Sequence, residues 1–278
     1  MKPIIALLVA MAALQCRGGD TASLSGEDRV ILERYLEHAR ARRIDTLPLH
    51  RRVVETALFF LGTPYRAGTL DENETEQLVV NLREMDCVTF VDNVLALALL
   101  PSSADPVDRF LDNLRRVRYR DGKIIDLASR LHYSTDWLFE MQRQGILKEI
   151  ARQENIPFTN KVNHLARHHP AAAKDAALRD RLLAIEKQIN ARTKQHLPKD
   201  RVQPNAGQLR DGDVILITTT REGLDAAHLG FALERDNTIY LLHASSDARA
   251  VVITTVPLGD YLARVRAHAG IITGRIIE

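Results

Sequence analysis

The chain has 278 residues, 45% of them hydrophobic, which is enough apolar side chain for a sizeable core and excludes an intrinsically disordered protein. Its formal net charge of +2, on a chain that is 27% charged, gives little long-range field. No basic tract stands out, so neither nucleic acid nor an acidic membrane surface is indicated as the main partner.

Residues 1–16 carry Lys2 and then an apolar run, Ile4 to Leu14. That length suits the core of a secretory signal peptide and is too short to span a bilayer, so an exported protein of the periplasm or cell envelope is expected. Leu14-Gln15-Cys16 resembles a bacterial lipoprotein signal displaced by one residue, which would anchor the chain to a membrane through lipidated Cys16. Cleavage after Ala12 or Ala13 is the competing reading. Either cut leaves Cys87 as the only cysteine of the folded part, 17–278, so no internal disulfide can form. A lone thiol in an exported protein asks for a chemical explanation.

After a polar stretch, Ser25-Gly26-Glu27-Asp28 is a capping signal, followed by Ile31, Leu32, Tyr35, Leu36 and Ala39 at helical spacing. Pro48 opens a second amphipathic helix with Val53, Val54, Ala57, Leu58 and Leu61 on one face, ending at Gly62-Thr63-Pro64-Tyr65. Leu78-Val79-Val80 is short and apolar, and its spacing does not choose between strand and helix. Asp86 is a favoured N-cap residue, and Val88, Phe90, Val91, Val94, Leu95, Leu97, Leu99 and Leu100 follow until Pro101. This helix is apolar nearly all round and is expected inside the protein, with Cys87 in its first turn. Free N–H groups and the helix dipole favour a thiolate there, and a nearby histidine or other cation can lower a thiol pKa to about 3.5–7.5. The alternative is that Cys87 is a small buried hydrophobe.

Beyond it, Val107 to Val117 reads as a helix, and a turn at Arg120-Asp121-Gly122-Lys123 precedes a short strand at Ile124 to Leu127. Arg130-Leu131-His132-Tyr133-Ser134-Thr135-Asp136-Trp137 is a dense polar and aromatic cluster. Residues from about 138 to 200 read as a mostly helical elaboration, with a helix from Ala176 to about Gln195. The C-terminal part changes period: Asp213 to Thr220, Leu229 to Glu234, Thr238 to His243, Val251 to Val256 and Ile271 to Ile277 are short β-rich runs. Helices first and strands afterwards indicate an α+β domain, 17–278, with a buried nucleophile helix packed on a small antiparallel sheet.

A thiol nucleophile needs a general base and a group that fixes the base, usually far away in sequence. His228 stands at a strand start and His243 at the end of the next strand. A hairpin around Arg235-Asp236-Asn237 brings the two together. No metal or cofactor is called for. His164, His168 and His169 have helix-like spacing but lack a carboxylate or cysteine to complete a metal site, so a solvated face is the simpler reading.

Gly62-Thr63-Pro64-Tyr65, Asp86-Cys87, Gly212-Asp213-Val214, His228-Leu229-Gly230 and His243 are together similar, in order, to the landmarks of the NlpC-type papain-like cell-wall peptidase superfamily. Leu78-Val79-Val80-Asn81-Leu82, Met85-Asp86-Cys87-Val88-Thr89-Phe90-Val91, Arg130-Leu131-His132-Tyr133 with Asp136-Trp137, and His243-Ala244-Ser245-Ser246 resemble its branch known as domain of unknown function 1460. The cysteine is followed by Val88-Thr89, where the superfamily often has Ser-Gly, in agreement with that branch. The resemblance implies a circularly arranged papain-like fold and hydrolysis of a peptidoglycan amide, the N-acetylmuramoyl-L-alanine bond of muropeptides, by a monomer. It places the nucleophile on Cys87, the base on His228 and the orienting group on His243, with Tyr65 near the nucleophile and Arg130, Tyr133, Asp136, Trp137 and Ser245 as oxyanion or substrate contacts. Packing roles for Tyr65 and His243, and a buried polar cluster for Arg130 to Trp137, are the alternatives. An endopeptidase cutting after the D-glutamyl residue of the stem peptide, or a non-catalytic muropeptide-binding module, are the rival functions.

Overall fold

The computed structural model describes residues 24–100 and 105–278. The expected signal segment, residues 1–16 with Cys16, lies outside them, and none of the described helices is long and apolar enough to cross a membrane.

Two helices lead the chain, α1 (Gly26–Ala41) and α2 (Leu49–Phe59). The expected cap is in place: Ser25 Oγ accepts the Asp28 N–H. Asp28 is itself buried and accepts the Leu82 N–H at 2.8 Å, which ties α1 to the segment before the Cys87 helix. Leu78-Val79-Val80 forms neither strand nor helix. It serves instead as a polar strap: the Val79 carbonyl accepts from Arg118 Nη1, and the Asn81 carbonyl accepts from Asn93 Nδ2.

Helix α3 (Cys87–Ala98) is buried from Thr89 through Ala98, as expected for a helix with no polar face. Helix α4 (Pro106–Arg118) packs beside it, and α5 (Ser134–Arg143) follows. The strand expected at Ile124 to Leu127 does not form. Asp126 caps a single 3₁₀ turn, Leu127–Ser129, by accepting the Ala128 N–H at 2.8 Å, and this local bond replaces a sheet ladder.

The elaboration contains strands β1 (Leu147–Glu149) and β2 (Ile156–Pro157), then α6 (His164–His168), α7 (Pro170–Lys174) and α8 (Ala176–Ala191). Helix α8 stops short of Gln195, because Gln195–Pro198 is a strand, β3, that joins the main sheet. A satellite core of Leu127, Ala166, Ala172, Leu178 and Leu182 holds this layer over the Leu127 turn.

After a short α9 (Lys199–Val202) come β4 (Val214–Thr219), β5 (Ala226–Arg235), β6 (Thr238–Ser245), β7 (Ala250–Ile253), α10 (Leu258–Ala263) and β8 (His268–Ile276). All five expected β-rich runs are therefore strands. Their spatial order is β2-β3-β8-β4-β5-β6-β7, all antiparallel, with β1 also on β8. The β5–β6 hairpin closes on Asp236 and Asn237, both at positive φ, the two-residue geometry that matches strand twist. One sheet face packs on α3 through Leu229, Phe231 and Leu242, with Phe90 edge-on to Phe231 at 5.7 Å. The other face is closed by Leu258 and Leu262 of α10 and Val202 of α9.

Candidate active site

Cys87 is the first residue of α3, half-buried, and a free thiol. Asp86 caps the helix reciprocally with Thr89: its Oδ1 accepts the N–H groups of Val88 (3.1 Å) and Thr89 (2.8 Å), while Thr89 Oγ1 accepts the Asp86 N–H. This cap works against the thiolate expected from the helix dipole. It engages two first-turn donors and sets a carboxylate beside the sulfur. Burial and that carboxylate push the Cys87 thiol up to about 12, opposed by backbone N–H groups of Leu229, Cys87 and Val88. The resting group is a neutral thiol, a departure from the lowered value read from the helix start alone.

The hairpin delivers the two histidines to one place. His228 Nε2 lies 2.5 Å from His243 Nδ1, with the rings perpendicular. His228 pairs with Ile217 as the last regular rung before a bulge at Ala227, and ladder pairing of β5 with β6 stops at Phe231–Leu242. Gly230 makes the contact possible: a Cβ there would stand 2.8 Å from the Leu242 carbonyl oxygen and 2.9 Å from His243 Cβ. The Tyr261 ring of α10 meets His243 edge-on at 5.3 Å. Burial, with His243 and His268 nearby, lowers the His228 pKa to about 3. Burial lowers that of His243 to about 4, against the pull of Asp247. Both imidazoles are neutral at rest.

Cys87 and His228 line one cavity of about 250 Å³, walled also by Val88, His132, Tyr133 and His164. A larger cavity of about 430 Å³ lies over Asp71, Arg130 and Lys174. We place the site at the smaller one, because Cys87 and His228 both line it.

Tyr65 is linked to the Cys87 segment through the backbone. Gly62, at φ +83°, turns the chain so that its N–H meets the Val251 carbonyl; Tyr65 then bonds Arg249 and bridges to Met85, two residues before Cys87. Burial and the neighbouring Cys87 and Asp86 raise the Tyr65 pKa, so its hydroxyl keeps its proton as a donor. Tyr133 walls the cavity with its ring, but its hydroxyl is engaged: it donates to Glu186 at 2.7 Å and accepts the Leu165 N–H.

The other expected contacts do not line the Cys87 cavity. Arg130 is buried against Asp71 (2.5 Å) and the Leu70 carbonyl, lining the neighbouring cavities. Asp136 is buried between Arg120 and Arg192, each at 2.7 Å, and joins α5 to the chain after α8. Trp137 belongs to the main core. Ser245 accepts the Ala248 N–H in the turn after β6. In the sequence His132 is only one member of a polar cluster and His164 only a rejected metal ligand, while Gly230 as a steric gap, Tyr261 and Asp225 carry no signal. Asp225 ties α5 to the start of β5 by accepting the Thr135 N–H and hydroxyl, both at 2.7 Å. His164 and His168 stack at 4.9 Å, and no group of three or more His, Cys, Asp or Glu among the described residues could hold a metal.

An antiparallel sheet covered by helices, with a thiol and two imidazoles gathered at one end, defines a mixed α+β protein of amidase-like type. The chain belongs to the AmiA-like, N-acetylmuramoyl-L-alanine amidase-like family, whose model matches residues 55–271. Among solved structures it is similar to an N-acetylmuramoyl-L-alanine amidase from Bacteroides uniformis, with 33% identity, TM-score 0.77, and coverage of 83% of this chain and 99% of that one. A Bacteroides fragilis protein named for a different activity, that of a xylanase, is 34% identical with TM-score 0.75, covering 80% of this chain and 100% of that one. A Legionella pneumophila protein of the domain of unknown function 1460 family shares the fold at 24% identity and TM-score 0.68, over 90% of this chain and 97% of that one. No curated protein matches the chain. The resemblance to an N-acetylmuramoyl-L-alanine amidase-like family read from the sequence holds.

Proposed function

We propose that the protein is a cysteine-dependent amidase of papain-like, NlpC-type architecture, exported to the cell envelope, that hydrolyses the N-acetylmuramoyl-L-alanine bond of peptidoglycan fragments. The observation that carries this reading is the Cys87–His228 cavity backed by the 2.5 Å contact to His243, in a chain of the amidase-like family.

The tautomers follow from the contact. For His228 to take a proton from Cys87 at Nδ1, its Nε2 must already carry hydrogen and donate to His243 Nδ1, which leaves the His243 proton on Nε2. In the first step the thiol proton passes to His228 as sulfur attacks the lactyl carbonyl carbon. The Cys87 N–H and the Tyr65 hydroxyl support the oxyanion. The C–N bond then breaks as His228 gives its proton to the departing alanine nitrogen, leaving a thioester on Cys87. Water, deprotonated by His228, attacks the thioester, and the thiol is regenerated. His243 accepts from the imidazolium throughout and holds the ring.

Incubation of a defined muropeptide with the protein should release free sugar and intact peptide by mass spectrometry, and the Cys87→Ala protein should release neither. A split stem peptide from the wild type would instead identify the endopeptidase. Binding without any product would identify a binding module.

A further inference from the structure

The Cys87 cavity has a neighbour. A second cavity of about 140 Å³, lined by Gly68, Asp71, Asp86 and Arg118 among others, shares two wall residues with it, Val88 and His132. Val88 is the residue after Cys87, so this second space adjoins the Cys87 cavity. His132 stands at the junction of the two, and it is held there by one bond: its Nε2 lies 2.8 Å from the Leu127 carbonyl oxygen.

That bond fixes the ring's chemistry. A carbonyl can only accept, so Nε2 carries the proton. Burial and the Arg130 guanidinium, with a smaller contribution from His169, lower the His132 pKa to about 3 against the pull of the Leu127 carbonyl and Asp71. The ring is therefore neutral at any physiological pH, and Nδ1 is a bare acceptor with no hydrogen-bond partner among the described residues. His132 is half-buried on the wall of two adjoining cavities, and its Nδ1 is not sealed from solvent, so it is an oriented acceptor open to a donor that enters them.

We infer that His132 is a substrate-contacting residue whose Nδ1 accepts a hydrogen bond from a stem-peptide amide N–H as the peptide leaves the Cys87 cavity. This rests on the amidase reading, in which the leaving fragment is a peptide with an amide N–H at every residue. The small second cavity takes an extended peptide unit more readily than a sugar ring. A neutral acceptor there also discriminates: it favours an N–H and disfavours a carboxylate in the same place, which selects for a continuing peptide over a terminated one.

Substitution separates this contact from a structural role, because glutamine can place its amide nitrogen where Nε2 stands. His132→Gln thus keeps a donor for Leu127 and removes the Nδ1 acceptor. Calorimetric titration of a muropeptide into Cys87→Ser protein, with and without His132→Gln, should show about a tenfold weaker Kd for the double variant at an unchanged melting temperature. A muropeptide N-methylated at the contacted stem amide should bind the Cys87→Ser protein about tenfold more weakly, and should lose nothing further in the double variant. Equal Kd values for the parent muropeptide, or penalties that simply add, would overturn the inference. Should His132→Gln fail to fold, the N-methyl series on Cys87→Ser alone still decides, since equal binding of every methylated isomer excludes an acceptor contact. Tight binding that responds as predicted, but without sugar release by the wild type, would remove the amidase reading and leave the contact standing.

Discussion

Two regions of this protein take titratable groups out of solvent and treat charge in opposite ways. Around α4 and α5, arginines meet carboxylates: Arg118 pairs with Asp92 at 2.9 Å with both side chains almost fully enclosed, and Asp136 is shared by Arg120 and Arg192. At the cavity, the nearest groups to His228 are other imidazoles, and Cys87 has a carboxylate for a neighbour. Burial penalises the charged form in both places, but only the first supplies an opposite charge in contact. The first region is therefore a lattice of fixed charges that positions elements. The second is a set of neutral groups between which a proton can move without a stable ion to displace.

The difference predicts separate kinds of damage. His228→Ala removes the acceptor of the thiol proton and the donor to the leaving nitrogen, so kcat/KM on a muropeptide should fall by about 10²–10⁴-fold while thermal stability is kept. His243→Ala should cost less, and His243→Asn less again, because a polar side chain can still hold the ring. Wild-type rates in a folded His243→Ala protein would return that residue to a packing role.

Arg118→Met should do the reverse. It leaves Asp92 buried without its partner, a loss of about 3–5 kcal/mol on breaking a buried pair, read as a shift in urea midpoint. Asp92 already has a raised pKa from burial, so the orphaned carboxylate will take up a proton and the cost should lessen below neutral pH. Combining Arg118→Met with Asp92→Leu should recover much of the loss. If the double variant is no more stable than the single, the pair is not what holds α3 to α4.

Gly230→Ala falls between the two regions in kind and is smaller in size. The added methyl meets a carbonyl oxygen and His243 Cβ at under 3 Å, so overpacking of about 1–3 kcal/mol is expected. Because His243 must move, kcat should fall by roughly tenfold, which is 1.4 kcal/mol of barrier. A stability loss with normal kcat would show that the His228–His243 contact tolerates displacement.

Much of this was legible in the sequence, for identifiable reasons. The strands announce themselves by alternation and turn residues, and the hairpin at Asp236-Asn237 fixes the register that joins His228 to His243. The α3 cap follows from Asp86 alone. Signals that depend on distant partners were not readable. Arg130 and Asp136 look like site residues in a one-dimensional cluster, yet Asp71 and Arg192 claim them from elsewhere in the chain. The state of the Cys87 thiol also escaped, because Asp86 is both the cap that makes the helix start and the charge that opposes its dipole. His132 gave no signal of its own, since its anchor is a backbone carbonyl that no residue type reveals.

If the cavity holds neutral groups at rest, the pH dependence of Cys87 alkylation by iodoacetamide will show it. A thiol raised to about 12 is protonated throughout the working range, so its thiolate fraction grows tenfold with each pH unit. Labelling without substrate should therefore climb steadily from about pH 6 to 9, and should be slower in His228→Ala, where no imidazole takes the proton. A wild-type rate that is already level at pH 6 would mean a standing thiolate–imidazolium pair in place of the neutral one.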